Sequence, residues 1–148
     1  MWYDKSMNNI IDFIPYTQDL SVLYVEDDAV VRMTTTTLLE DLFDDIVIAI
    51  DGDDGLKEYQ NRKKEKGLFF DIIITDISMP KLNGDEMSKE ILSINPNQNI
   101  IAMTAYNESN KLDYLLDLGL KEIINKPINF EKLLDVLATM AIKIKKDL

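Results

Sequence analysis

The stretch Asp71-Ile72-Ile73-Ile74-Thr75-Asp76-Ile77-Ser78-Met79-Pro80-Lys81-Leu82-Asn83-Gly84 decides how the chain folds. The isoleucines Ile72 to Ile74 spell a strand with no polar face, as in a parallel sheet covered on both sides. The run stops at Asp76, and Pro80 and Gly84 then force a loop. Open α/β sheets place their chemistry at the carboxyl ends of strands, where Asp76 stands. Aspartate also terminates strands without any further role, so this stretch alone leaves both readings open.

A second acidic strand end lies upstream. Val22-Leu23-Tyr24-Val25 is another short apolar run, and it leads straight into Glu26-Asp27-Asp28. Parallel strands ending this way would gather several carboxylates at one sheet edge. Such a cluster is unfavourable unless a cation neutralises it or some of the groups hold protons. Hard oxygen donors suit Mg²⁺, which takes one or two carboxylates along with phosphate oxygens and water. A carboxylate beside it can serve as a nucleophile toward phosphorus.

Composition narrows the classes. The 148 residues suit one domain with a real core, and 46% apolar with 29% charged residues is ordinary for a globular chain. A net charge of −11 disfavours direct binding to nucleic acid or to an anionic membrane. There is no Cys and no His, which excludes disulfides, thiol chemistry, Cys-based zinc sites and imidazole triads. No apolar stretch reaches membrane-spanning length, and no signal peptide is apparent. The expectation is a soluble cytoplasmic protein.

Residues 1–19 stand apart as a leader. Met7, Ile10, Ile11 and Ile14 have helical spacing with Phe13 beside them, and Pro15 is expected to end the segment. Two readings compete: a short helix packed on the domain or on a partner, and a loose leader. Four apolar residues on one face call for a cover, which favours the helix. The domain proper, 20–146, alternates strand and helix. Strands are predicted at Leu20–Glu26, Ile46–Ile50, Phe70–Thr75, Asn99–Met103 and Glu122–Asn125.

The first helix of the domain runs from Asp28 or Ala29 to about Phe43, held by Val31, Leu38 and Leu42 against the low propensity of Thr34–Thr37. The turn Asp51-Gly52-Asp53-Asp54-Gly55 opens the second, and Gly67 ends it. The third follows Gly84 with Met87, Ile91 and Ile94 on one face, and the fourth carries Leu112, Leu115 and Leu116 inward before Gly119. Asn129 can cap the last, whose stripe is Phe130, Leu133, Leu134, Leu137, Met140, Ala141 and Ile144. Five strands alternating with five helices read as a parallel α/β sheet covered on both faces.

From about Leu20 to Ile144 the chain resembles the receiver domain of two-component response regulators. The acidic pair after the first strand matches Glu26 and Asp27, and the phosphoacceptor matches Asp76 in its D-x-x-M-P-x-x-N-G context. The hydroxyl residue after the fourth strand matches Thr104, the Lys-Pro after the fifth matches Lys126-Pro127, and the turn at Asp51–Leu56 matches a further family signal. The resemblance implies a flavodoxin-like doubly wound five-stranded sheet of order 2-1-3-4-5. It implies Mg²⁺ on Asp27, Asp76 and the backbone carbonyl of Ser78, with Glu26 acting mainly through water. Lys126 and Thr104 would meet the phosphoryl oxygens. A histidine kinase or histidine phosphotransfer protein would supply the phosphoryl group. A downstream protein would read the face of the domain's fourth helix, fifth strand and fifth helix, and a homodimer is compatible with the same resemblance.

One departure matters. The family often has Tyr or Phe three residues before the lysine, a ring that turns inward on phosphorylation; here that residue is Ile123. Ser78 and Tyr106 would line the approach of hydrolytic water, implying slow loss of the phosphoryl group. Three rival readings fit less well. A haloacid-dehalogenase-type phosphatase needs a second Asp where Ser78 stands. A flavodoxin needs a phosphate loop where Glu26-Asp27-Asp28 stands. A receiver-like module that is never phosphorylated is disfavoured by the intact acids, Thr104 and Lys126. The expected role is signalling rather than enzymatic turnover, by a stand-alone regulator or as part of a longer protein.

Overall fold

The isoleucine run forms the centre of the sheet. The computed structural model describes residues 9–105 and 111–147. After α1 (Ile10–Thr17) come β1 (Ser21–Val25), α2 (Ala29–Leu42), β2 (Asp45–Ala49), α3 (Gly52–Lys66) and β3 (Ile72–Asp76). Then follow α4 (Gly84–Ile94), β4 (Asn99–Thr104), α5 (Leu112–Leu118), β5 (Glu122–Asn125) and α6 (Phe130–Lys146). The five strands pair in parallel in the order β2-β1-β3-β4-β5. This is the flavodoxin-like doubly wound arrangement, with the expected five helices and the leader helix α1 as a sixth.

Parallel pairing brings all the strand carboxyl ends to one edge. β1 pairs with β3 at the sheet's centre, and the chain winds outward in opposite senses on either side of them. The crevice that open α/β sheets use for ligands therefore lies just beyond Glu26 and Asp76. Every residue of β1 and β3 is buried, as a strand covered on both faces requires. Alternation sends Tyr24, Ile72 and Ile74 toward α1, α2 and α6, and Leu23, Ile73 and Ile100 toward α3, α4 and α5. Caps fall where the residue types call for them: Asp28, Asp51 and Asn129 accept from first-turn amides, and Gly67 and Gly119 close α3 and α5 at positive φ.

Several expected helix faces are rotated. In α2 the buried positions are Thr35, Leu39 and Leu42, while Val31 and Leu38 lie half-buried at the margin. Ile94, Leu112, Leu116 and Phe130 are exposed, so α4 buries Met87 and Ile91 and α5 buries Leu115; of its expected stripe α6 buries Leu133, Leu137, Met140 and Ala141, with Leu134 and Ile144 half-buried, and adds Val136, Ala138 and Ile142. The cause is geometric. A helix on a sheet needs only a narrow stripe, and these helices carry apolar residues over a wider arc.

The leader forms a helix, with two corrections. Pro15 lies inside it, at an exposed position four residues after exposed Ile11, so the carbonyl that Pro15 cannot serve is on the solvent side. The buried face is Phe13 and Thr17 with Ile10 and Tyr16 beside them, not Ile11 and Ile14; Met7 lies outside the described residues. The Thr17 hydroxyl donates to the carbonyl of Leu42 at 2.7 Å, satisfying an acceptor in the last turn of α2. Asp19 pairs with Lys145 near the end of α6. Phe13→Ala should therefore cost about 3 kcal/mol and Ile11→Ala less than about 0.5 kcal/mol. Urea unfolding of the two variants checks this, and equal effects would mean the wrong face has been assigned.

Candidate functional site

Each acidic residue at the sheet edge is held by its own local structure. Asp28 caps α2 by accepting from the amides of Val30 and Val31 at 2.9 and 3.0 Å, and its own amide donates to Glu26 Oε2 at 3.2 Å. Asp28 is thus a cap, as its place before the helix implies. One turn into α2, Arg32 donates from Nη1 to the Glu26 carbonyl at 2.9 Å. These contacts fix the backbone of the acidic pair. Asp76 Oδ1 accepts from the amide of Ile77 at 2.9 Å, and the loop that follows is tied back by Gly84 N–H donating to the Ile77 carbonyl at 2.7 Å.

Lys126 connects the two strand ends. Its Nζ donates to Asp76 Oδ2 at 2.9 Å and to Glu26 Oε1 at 3.2 Å, reaching from the end of β5 across β4 and β3 to β1. Glu26, Asp27 and Asp76 each offer a carboxylate oxygen within 4.8 Å of the others, with Glu26 and Asp76 buried and Asp27 exposed. This is a hard-oxygen donor set facing solvent on one side, able to hold a divalent cation. Ser78 is exposed, two residues past Asp76. Thr104 is buried one residue beyond Met103, the β4 partner of Asp76, and its hydroxyl donates to Asn125 Oδ1 at 3.2 Å. Thus Glu26, Asp27, Asp76, Thr104 and Lys126 all meet at one edge; Tyr106 lies outside the described residues.

Arg32 and Asn125 are site positions that the sequence reading does not mark, and the structure adds a reason for Gly52. Arg32 four residues after a capping Asp is a usable signal, because it places the guanidinium over the first turn. Gly52 lies in a turn that the sequence does flag, and its reason is close approach. A Cβ there would come within 2.0 Å of the Leu82 carbonyl oxygen. Asn125 is visible only once β4 and β5 are in register.

The electrostatics follow from burial. Removal from water, then the neighbouring Asp76 charge, push the Glu26 carboxyl up to about 7, against the pull of Lys126. Burial likewise raises Asp76, with the Lys126 hydrogen bond opposing it. Burial works against the charge on Lys126, but its hydrogen bond to Asp76 and the two carboxylates outweigh it and hold the ammonium above its ordinary value.

A pH dependence follows for the metal-free protein. The Glu26 value lies above 4.5, so between about 4.5 and 7 the folded state binds protons that the unfolded state has lost. The contribution of Glu26 is complete below that window and is lost as pH rises through it, on the order of 3 kcal/mol. Glu26→Gln should flatten this slope and leave the protein more stable at pH 8. Urea titrations in chelator at several pH values check it; an unchanged slope would exclude Glu26 as its source.

The comparisons agree with this geometry. The family model described as response regulator receiver domain matches residues 22–138. Hybrid signal transduction histidine kinase I of Dictyostelium discoideum is 34% identical over 126 residues, covering 82% of this chain but 7% of that relative. The chemotaxis protein CheY of Thermotoga maritima is 29% identical over 117 residues, covering 78% of this chain and 92% of its own length. A solved CheX–CheY–BeF₃–Mg²⁺ complex from Borrelia burgdorferi superposes with a TM-score of 0.70 at 27% identity, covering 84% of this chain and 90% of that one. Fold, site and family model coincide, and the chain belongs to the receiver domains of two-component response regulators.

Proposed function

We propose that Asp76 is the phosphoacceptor and that the domain works as a phosphorylation switch, not as a turnover enzyme. The observation that carries this is the bridge from Lys126 to both Asp76 and Glu26, with Asp27 completing the acidic cluster. An Asp76 carboxylate oxygen attacks phosphorus; the bond to the donor nitrogen of a phosphohistidine breaks, and its electron pair stays on the imidazole. Lys126, a point charge on a flexible stem, then follows the phosphoryl oxygens. The Thr104 hydroxyl donates to another of them. The Glu26, Asp27 and Asp76 carboxylates fit Mg²⁺; as in the family, Asp27, Asp76 and the Ser78 carbonyl would hold it, with Glu26 acting through water, and it would offset repulsion between anionic acceptor and anionic donor. The similarity to a receiver solved with BeF₃ and Mg²⁺ supports this choice of ion.

The phosphodonor is a histidine kinase or a histidine phosphotransfer protein. A groove of about 220 Å³ beside Lys126 is lined by Val30, Val31, Pro127, Ile128 and Phe130 along with Thr34 and Thr35, a mainly apolar lining suited to docking a donor helix. The output face is α5, β5 and α6, where Leu112 and Leu116 are exposed one turn apart, ready for a downstream protein or a second copy. The setting is the cytoplasm; among the described residues no helix is long and apolar enough to cross a membrane. The phosphatase reading fails on Ser78, which has no proton-donating carboxyl to offer a leaving group. Incubation with acetyl phosphate and Mg²⁺ tests the proposal: intact mass should show one phosphoryl group per chain, absent in chelator. Labelling that ignores the chelator would remove the metal from the reading.

A further inference from the structure

The β4–β5 register pairs Ala102 with Ile123 and Thr104 with Asn125. Side chains alternate along a strand, so these four residues share one face of the sheet. The lower pair is aliphatic: Ile123 packs beside Ala102 in the layer under α4 and α5. The upper pair is polar, with the Thr104 hydroxyl donating to Asn125 Oδ1 at 3.2 Å. Asn125 immediately precedes Lys126, whose amide donates to the Thr104 carbonyl at 2.6 Å. Thr104 is 2% exposed, whereas Asn125 is open to solvent.

A threonine hydroxyl has one proton to donate. In the resting domain that proton is engaged by Asn125, on the strand that carries Lys126. At 3.2 Å the bond is longer than the 2.7–2.8 Å usual for O–H···O, so it is easily exchanged. Phosphoryl oxygens on Asp76, one strand away, are charged acceptors and outcompete a neutral carboxamide. Resting on the phosphoacceptor reading above, we propose that Asn125 is the resting-state latch for Thr104: a positioning residue that phosphorylation must displace. Its release frees the Asn125 side chain beside Lys126, while the Lys126 amide stays on the Thr104 carbonyl, so any movement of Thr104 is passed to the end of β5. The domain thus gains a phosphorylation-dependent change on β5 that Ile123, having no ring to rotate, does not supply.

The test uses beryllofluoride with Mg²⁺ as the phosphoryl mimic on the full chain, with Kd from NMR titration. Asn125→Ala removes the competing acceptor and should tighten binding about fivefold, the worth of one ordinary hydrogen bond. The same substitution in a Thr104→Val background should change Kd less than about twofold, because no hydroxyl is there to compete for. A second readout is the Asn125 side-chain amide signal, which should move on beryllofluoride addition in wild type and stay fixed in Thr104→Val. Because Asn125 is exposed, the variant should fold, and its urea midpoint checks that. Unchanged or weaker binding by Asn125→Ala, or an equal gain in both backgrounds, overturns the latch. A wild type that binds no beryllofluoride defeats the phosphoacceptor reading itself, a distinguishable result.

Discussion

Asp76→Asn should take up no phosphoryl group from acetyl phosphate under conditions that label the wild type to one group per chain. The carboxamide keeps the size of the side chain but replaces the attacking anionic oxygen with a neutral one. Neighbouring acids offer no substitute: Glu26 is fully buried and accepts from Lys126 and from the Asp28 amide, and Asp27 lies on the exposed rim. Loss of labelling should not come from unfolding. Removing the Asp76 charge relieves the second largest cause of the raised Glu26 value, so the metal-free variant should be at least as stable as wild type at pH 8 and its pH slope shallower. Labelling of Asp76→Asn equal to wild type would move the acceptor to another residue. Labelling lost together with a large drop in the urea midpoint would show that Asp76 supports the fold instead.

The strand ends could be read from the sequence because their physics is local. A run of isoleucines closed by aspartate states both burial and exit; Glu26, Asp76 and Thr104 each follow or end such an apolar run, and Lys126 follows the last strand directly. Parallel pairing then has no choice but to bring them to one edge. Helix rotation is a different matter, since it depends on which arc of a helix the sheet covers. Thr35 is buried and Thr34 and Thr37 are exposed, although the residue types are identical. The latter two return their hydroxyls to the carbonyls of Val30 and Met33, a local solution open to any threonine in a helix. The leader shows the same effect: periodicity announces a helix, but Phe13 and Thr17 win the core over Ile11 because Phe13 is the larger side chain and Thr17 finds the Leu42 carbonyl. Asn125 needed the register of two strands joined by a helix and two loops, which spacing alone leaves undetermined.

Gly84→Ala should be the most damaging single-methyl change in the chain, with Gly52→Ala close to it. The two glycines grip the loop after Asp76 from opposite ends. A Cβ on Gly84 would stand 2.0 Å from the backbone oxygen of Asp76 and 3.0 Å from the Cα of Ile77, while one on Gly52 would stand 2.0 Å from the Leu82 carbonyl oxygen. In both cases the obstacle is main chain, so no rotamer relieves it and the loop itself must move. At Gly55 the nearest atoms are Met87 Sδ at 2.7 Å and Val25 Cγ2 at 2.9 Å, and a methionine can yield. At Gly67 nothing lies within 4 Å, and the cost is only that of a side chain at φ 71°.

The expected order of destabilisation is therefore Gly84 and Gly52 first, at more than about 3 kcal/mol, then Gly55, then Gly67 at about 1 kcal/mol. The functional cost should exceed the stability cost. Gly84 backs directly onto the backbone of Asp76, and a shift of even about 1 Å in an attacking group can reduce a rate about a hundredfold. The folded fraction of Gly84→Ala, assayed at low temperature, should thus label with acetyl phosphate at least about tenfold more slowly than wild type. Gly67→Ala, at the far end of α3, should label at the wild-type rate. Urea midpoints and labelling time courses on the four variants separate the two effects. A Gly84→Ala protein with wild-type stability and rate would mean that the loop after Asp76 is not held against the strand end, and that the site tolerates a geometry other than the one described.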